Sequence, residues 1–207
     1  MFIKTFFAQF GKPEGLGGRI AGKLMAATGF EKNEWTLSLL ELQKDDHVLE
    51  IGYGPGVAIA LAAKKVKEGK IIGLDCSEVM RKQAYKRNKA AIKSGIVDLR
   101  VHDVNFDFPA FDAAFDKVYS VNSIMFWDVP AKTLQKVRKF MKPMGLIVIT
   151  VQPFNINATD ETIEQFGKQI FHWMHEAGFS DLKVNYKPLN PAEAVAVLGV
   201  NNKKARG

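Results

Sequence analysis

Five short apolar runs mark the middle of the chain: His47–Ile51, Lys70–Leu74, Val97–Val101, Asp116–Val121 and Leu146–Val151. Between them, apolar residues recur three and four positions apart, as on one face of a helix. The spacing predicts helices over Val57–Lys67, from a cap at Ser77 to about Lys93, and over Lys132–Met141. Strands alternating with helices call for a doubly wound α/β architecture, a mostly parallel sheet with helices on both faces. A further helix over Thr159–Ala177 and two strand candidates, Leu182–Pro188 and Ala194–Val200, then add an antiparallel C-terminal strand.

Upstream of the first run, Asn33–Leu42 reads as a helix with Asn33 as cap and Trp35, Leu39 and Leu42 inward. Before it, Phe2, Phe6, Phe7 and Phe10 recur at helical spacing until Gly11–Gly18 breaks the pattern. No repeat or linker divides the chain. The expected organisation is one domain, with a cover segment over 1–32, a core over 33–151 and a C-terminal helix and strand pair over 152–207.

Composition narrows the class. With 47% hydrophobic and 25% charged residues in 207, the chain is globular in character. Its longest apolar stretch, Leu146–Val151, is far short of a membrane span. The N-terminus lacks the pattern of a signal peptide, and a lone Cys76 excludes an internal disulfide, so a cytoplasmic setting is expected. The net charge of +7 is spread over Lys64–Lys70, Arg81–Lys93, Lys132–Lys142 and Lys203–Arg206. These runs read as wet helix faces and do not interleave with aromatics as a base-stacking groove would, which argues against nucleic acid. The phenylalanine stripe near the N-terminus reads as helix packing over the site, with membrane-surface contact the less favoured alternative.

The sharpest chemical signal is Val48-Leu-Glu-Ile-Gly-Tyr-Gly-Pro-Gly56, set between a strand and a helix. Gly52, Gly54 and Gly56 allow a tight turn and close approach of backbone to a ligand. Glu50 precedes the first glycine, and Asp75 closes the second strand, where a carboxylate accepts ribose hydroxyls. The Gly-x-Gly-x-Gly spacing departs from the dinucleotide fingerprint, which wants its third glycine at Val57.

On these residues the chain resembles the class I S-adenosylmethionine-dependent methyltransferases, Rossmann-like enzymes. Within them it is similar to the small-molecule branch of quinone C-methyltransferases and phospholipid N-methyltransferases. The resemblance implies S-adenosyl-L-methionine as cofactor and in-line methyl transfer to a small-molecule acceptor. It places Gly52, Gly54 and Gly56 under the methionine part, Glu50 near the amino group, and Asp75 on the ribose with Cys76 beside it. Met80 falls where an apolar side chain packs on adenine, and Asp103, within His102-Asp-Val104, where an acid accepts from the adenine amino group. Asn122 ends the fourth strand at the reactive end, and Lys142-Pro-Met-Gly145 matches a Lys-Pro-Gly-Gly turn, with Met144 for a glycine. Asn122-Ser-Ile-Met is not the Asn-Pro-Pro-Tyr type segment of nucleic-acid amino methylases.

Other candidates are weaker. Tyr53 is expected to line the cofactor site, because its loop offers little else to pack against. Phe126 and Trp127 either wall the acceptor pocket or pack a loop, and Trp35 either closes the pocket or sits in the core. His172 and His175 share a helix face as an ordinary half-buried pair; a general base is the alternative, and no third ligand makes a metal site. Two rivals stand beside the methyltransferase: a nicotinamide-dependent oxidoreductase, and a non-catalytic binding protein on the same fold.

Overall fold

Each apolar run forms a strand, and the central ones are buried on both faces, which explains why they are nearly continuous rather than alternating, while Val97–Val101 at the sheet edge is only partly buried. In a computed structural model, which describes residues 29–111, 114–153 and 159–202, the strands are β1 (His47–Ile51), β2 (Lys70–Asp75), β3 (Val97–Val101), β4 (Phe115–Val121), β5 (Met141–Val151), β6 (Ser180–Lys187) and β7 (Ala194–Val200). They join in one sheet of order β3-β2-β1-β4-β5-β7-β6. β1 to β5 pair in parallel, and β7 inserts antiparallel between β5 and β6. The order reverses at β1, flanked by β2 and β4. A crevice therefore opens beyond the carboxyl ends of these strands, where such sheets bind ligands.

The helices are α1 (Phe30–Leu40), α2 (Val57–Ala62), α3 (Glu78–Arg87), α4 (Lys89–Lys93), α5 (Pro130–Lys139) and α6 (Asp160–Glu176), with a 3-10 turn at Ile124–Phe126. One core, built on Leu49, Ile51, Val118, Ile147 and Ile149, packs residues of α5 and α6. The other, on Val48, Ile71, Tyr119 and Val148, packs residues of α1, α2 and α3. Strand alternation assigns each side chain to a layer: Leu49 and Ile51 face one, Val48 and Glu50 the other.

Several expected boundaries shift for physical reasons. Gly29, not Asn33, stands at the head of α1; Asn33 is inside the helix and its N–H donates to Gly29 O (3.1 Å). The inward face is Lys32, Asn33, Thr36, Leu37 and Leu40, with Trp35 and Leu39 half-buried. Thr36 donates to the Thr150 hydroxyl (2.8 Å), which ties α1 to β5. α2 stops at Ala62 because the chain tightens into three-residue hydrogen bonds and turns onto Lys44 O, which accepts from Lys67, Glu68 and Gly69. The helix expected from Ser77 to Lys93 is interrupted at Asn88, whose amide donates to Ala84 O and to Gly56 O. Ser77 caps α3 as expected, accepting from Met80 N. The cover segment 1–28 lies outside the described residues.

Lys142-Pro-Met-Gly145 is not a turn ahead of β5 but an irregularity inside it. Met141 pairs with Phe115, and pairing resumes at Leu146 with Lys117. Asn201 holds the bulge, accepting from Met144 N and donating to Gly145 O through backbone groups. Met144 sits at φ 62° with its side chain mostly in solvent, a left-handed conformation that costs a non-glycine residue about 1–2 kcal/mol. Met144→Gly should therefore raise unfolding stability by about 0.5–1 kcal/mol once glycine's extra chain entropy is deducted. Urea denaturation checks this; a loss of stability would show that the Met144 side chain does more than the strain removes.

Candidate active site

The Gly loop is fixed by bonds to the neighbouring strand. Gly52 N donates to Leu74 O (2.7 Å), and Gly56 N to Tyr53 O (2.9 Å). All three glycines take positive φ, at 79°, 49° and 75°. What surrounds them differs. A Cβ on Gly52 would lie 2.4 Å from Ser123 Oγ, and one on Gly56 2.7 Å from both Ala84 Cβ and Asn88 Nδ2. A Cβ on Gly54 would meet nothing within 4 Å. Gly52 and Gly56 are thus glycines because protein presses on them, whereas Gly54 faces open space at the crevice.

Asp75 ties the loops after β1 and β2 together. Its Oδ2 accepts from Gly54 N (2.8 Å) and its Oδ1 from Ser77 N (2.9 Å). Burial pushes its carboxyl up to about 6 against these two donors. Each oxygen keeps a lone pair for a further donor. Cys76, beside it, is a half-buried thiol.

Glu50 is buried at the end of β1, directly across from Tyr119 of β4. Tyr119 Oη donates to its carboxylate (2.7 Å). Burial pushes Glu50 up to about 8, opposed by that hydrogen bond and reinforced by the charge of Asp75. Sequence reasoning missed Tyr119, because the pairing depends on the β1–β4 register.

At the third strand, His102 N donates to Asp75 O (2.8 Å), which brings the two strand ends together. His102 is half-buried, burial lowers its imidazole from the ordinary value, and its Nε2 has no hydrogen-bond partner among the described residues. Asp103 Oδ1 accepts from Asn105 N (3.0 Å). Asn105 in turn accepts from Asp128 N (2.8 Å), linking this loop to the one after β4. Val104 is buried in the core under α5 and α6. Asn122, at φ 53°, exchanges hydrogen bonds with the Gln152 backbone: Nδ2 donates to Gln152 O (2.9 Å), and Oδ1 accepts from Gln152 N (2.7 Å). Ser123, lying over Gly52, accepts from Trp127 Nε1 (3.1 Å). Trp127 is a packed core residue, with Phe126 half-buried beside it.

Three expectations are corrected. Tyr53 does not line the crevice; it is 2% exposed, its ring filling the space that Gly73 leaves on β2. Met80 is 1% exposed within the core under α3; its half-buried neighbour Val79 is the more open apolar side chain at this turn. His172 and His175 are exposed, not half-buried. They lie 12 and 15 residues along α6 from its start at Asp160, roughly 18–22 Å down a helix that rises 1.5 Å per residue. The geometry does not bring them to the crevice. Among the described residues, no group of His, Cys, Asp and Glu could hold a metal ion.

The comparisons with known proteins fit this geometry. A family model described as "Methyltransferase domain" matches residues 48–145. The "Uncharacterized methyltransferase YdaC" of Bacillus subtilis (strain 168) is 34% identical over 176 residues, covering 85% of this chain and 94% of that protein. The chain belongs to the class I S-adenosylmethionine-dependent methyltransferases. Two solved structures share the fold. One is a Haloferax volcanii complex of the Trm112 methyltransferase activator with the "putative methyltransferase" (TM-score 0.72, 17% identity, 91% of this chain and 96% of that one). The other is N-methyltransferase NodS from Bradyrhizobium japonicum WM9 with S-adenosyl-l-homocysteine (TM-score 0.67, 14% identity, 90% and 99%). The nicotinamide rival is set aside, and S-adenosyl-L-methionine is the cofactor.

The residues fit that group: an open glycine for close backbone approach, a carboxylate with spare lone pairs for a diol, and a buried acid whose partner is a neutral phenol. Gly54→Ala should fold, at a cost of about 1 kcal/mol for its positive φ, yet lose at least tenfold in S-adenosylhomocysteine affinity by calorimetry. Unchanged affinity would show that the space above Gly54 stays empty when the cofactor is bound.

Glu50 also makes stability depend on pH. The folded protein holds its proton up to about pH 8, whereas an unfolded Glu releases it near 4.5. Between those values the folded state binds more protons than the unfolded one, so stability falls as pH rises through the window. Asp75 adds to the same trend up to about pH 6. Glu50→Gln, neutral throughout, should flatten the fall in Tm across this window; an unaltered slope would contradict the assignment.

Proposed function

We propose that the enzyme methylates a small-molecule acceptor held over the ends of β4 and β5, with the cofactor lying across the ends of β1, β2 and β3. The observation that carries this reading is the Asp75 carboxylate, which joins the Gly loop to the β2 turn while keeping acceptor capacity beside open space at Gly54. In it, Asp75 takes the ribose hydroxyls with Cys76 alongside, and Gly52, Gly54 and Gly56 support the methionine part. Asp103, placed by His102, Val104 and Asn105, accepts from the adenine amino group. Asn122, its side chain fixed on the Gln152 backbone, faces the reactive end of the cofactor.

When bound, the cofactor supplies an electrophilic methyl group on a sulfonium, so the chain's own task is alignment and exclusion of water. The rim supports this. The segment Val121–Trp127 and the pair Gln152–Pro153 carry no titratable side chain. Such a rim suits an acceptor whose nucleophilic atom reacts without a base from these segments. Phe126 and Met125, half-buried there, supply apolar wall. A polyanionic acceptor would find no cation on these segments. The same reading assigns the N-terminal segment as a cover over the acceptor and the cytoplasm as the working compartment. Among the described residues, no helix is long and apolar enough to cross a membrane.

Calorimetry tests the cofactor assignments. S-adenosylhomocysteine should bind in the micromolar range, about −8 kcal/mol, and NAD should not bind. Asp75→Ala removes charge-assisted hydrogen bonds worth roughly 1.5–3 kcal/mol each, so affinity should fall at least tenfold in a folded protein. Full affinity in that variant would place the ribose elsewhere.

A further inference from the structure

The cofactor carries one primary ammonium, and three carboxylates lie near the strand ends: the half-buried Asp75 and Asp103 and the buried Glu50. Two are already engaged by backbone donors, Asp75 by Gly54 and Ser77 and Asp103 by Asn105. Among the described residues, no backbone N–H bonds Glu50; its hydrogen-bond partner is a neutral phenol on the adjacent strand. A buried acid in that setting keeps its proton until a cation arrives to replace it.

We propose that Tyr119 is a positioning residue for the amino-acid end of the cofactor, holding the Glu50 carboxyl so that capture of the ammonium expels the Glu50 proton to solvent. This rests on the cofactor placement proposed above. The balance is simple: the O–H bond of the carboxyl breaks, the proton leaves to buffer, and the carboxylate keeps the electron pair and faces the ammonium. Tyr119 stays neutral throughout, its phenol pushed well above the ordinary value by burial and by Glu50. It donates to the carboxylate before and after, favouring the ionised form and fixing its direction. Glu50, held near 8 chiefly by burial, is mostly protonated at neutral pH and is the source of that proton.

Other groups face the same layer and must be separated from it. From β2, Asp75 repels the Glu50 charge, but it is already mostly ionised at pH 7 because its carboxyl lies near 6. From the Gly loop, Tyr53 stays neutral, since burial and Asp75 raise its phenol. From α3, Arg81 and Glu78 act on Tyr53 and pair with each other. From α1, the buried Lys32 is lowered to about 8 by desolvation and titrates in the same window; it is not among the charges that act on Glu50.

The test is calorimetric titration of the full chain with S-adenosylhomocysteine in buffers of different ionisation enthalpy, at pH 7 and pH 8. The wild type should release close to one proton per cofactor at pH 7 and about half at pH 8, as follows for a group near 8 that ionises on binding. Glu50→Gln should bind with no such release, which also excludes Lys32 as the source. Tyr119→Phe should keep the release but extend it to higher pH, with affinity at pH 7 several-fold weaker. A purely structural tyrosine would lower Tm and leave the pH profile where it was. Binding by the wild type without proton release, or unchanged release in Glu50→Gln, would overturn the proposal while leaving the cofactor site standing. No binding at all would overturn the cofactor placement and this proposal with it.

Discussion

The site depends on one carboxylate gripping two loops. Asp75 accepts from Gly54 on one side and Ser77 on the other, so the turns leaving β1 and β2 cannot move apart. Ser77 also caps α3, and α3 returns to the loop at Asn88, whose amide donates to Gly56 O. The Gly loop is therefore clamped at both ends by one short helix. A ligand meets a backbone already in position, so little ordering entropy is lost on binding.

That rigidity comes with a strain in charge. Glu50 and Asp75 are acids held above their ordinary range by burial, a cost to the ligand-free fold that a cation and a diol would relieve. Functional sites commonly depart in this way from what stability alone would select. The second half of the crevice is built differently. Between β4 and β5, the Asn122 side chain binds the Gln152 backbone through both its amide nitrogen and its amide oxygen, and Ser123, which accepts from Trp127, closes over Gly52. One half is electrostatically demanding and the other neutral and apolar. That division suits a charged cofactor beside an uncharged acceptor rim.

Much of the fold was legible because parallel strands covered on both sides leave unbroken apolar runs, and because Gly52–Gly56, Asp75 and Ser77 are local signals. Failures arose where side-chain direction is set across the sheet. Tyr53 was read as a pocket residue, yet Gly73 on the next strand leaves the hole it fills. Met80 sits a residue away from the half-buried Val79, and a helix turns that single step into the difference between core and crevice. Tyr119, Ser123 and Asn105 carried no motif; their importance comes from register and loop contact, which no single segment encodes. His172 and His175 satisfied a spacing rule, but the direction of α6 carries them to the wrong end of the sheet.

The central claim is that the Gly loop, Asp75 and Glu50 form one cofactor cradle. A crystal structure of the protein soaked with S-adenosylhomocysteine tests it most directly. The account predicts both ribose hydroxyls at about 2.5–3.0 Å from the Asp75 oxygens, the homocysteine chain passing over Gly54, and its amino group on the Glu50 side. A ligand seated elsewhere, or bound with its ribose away from Asp75, would contradict it.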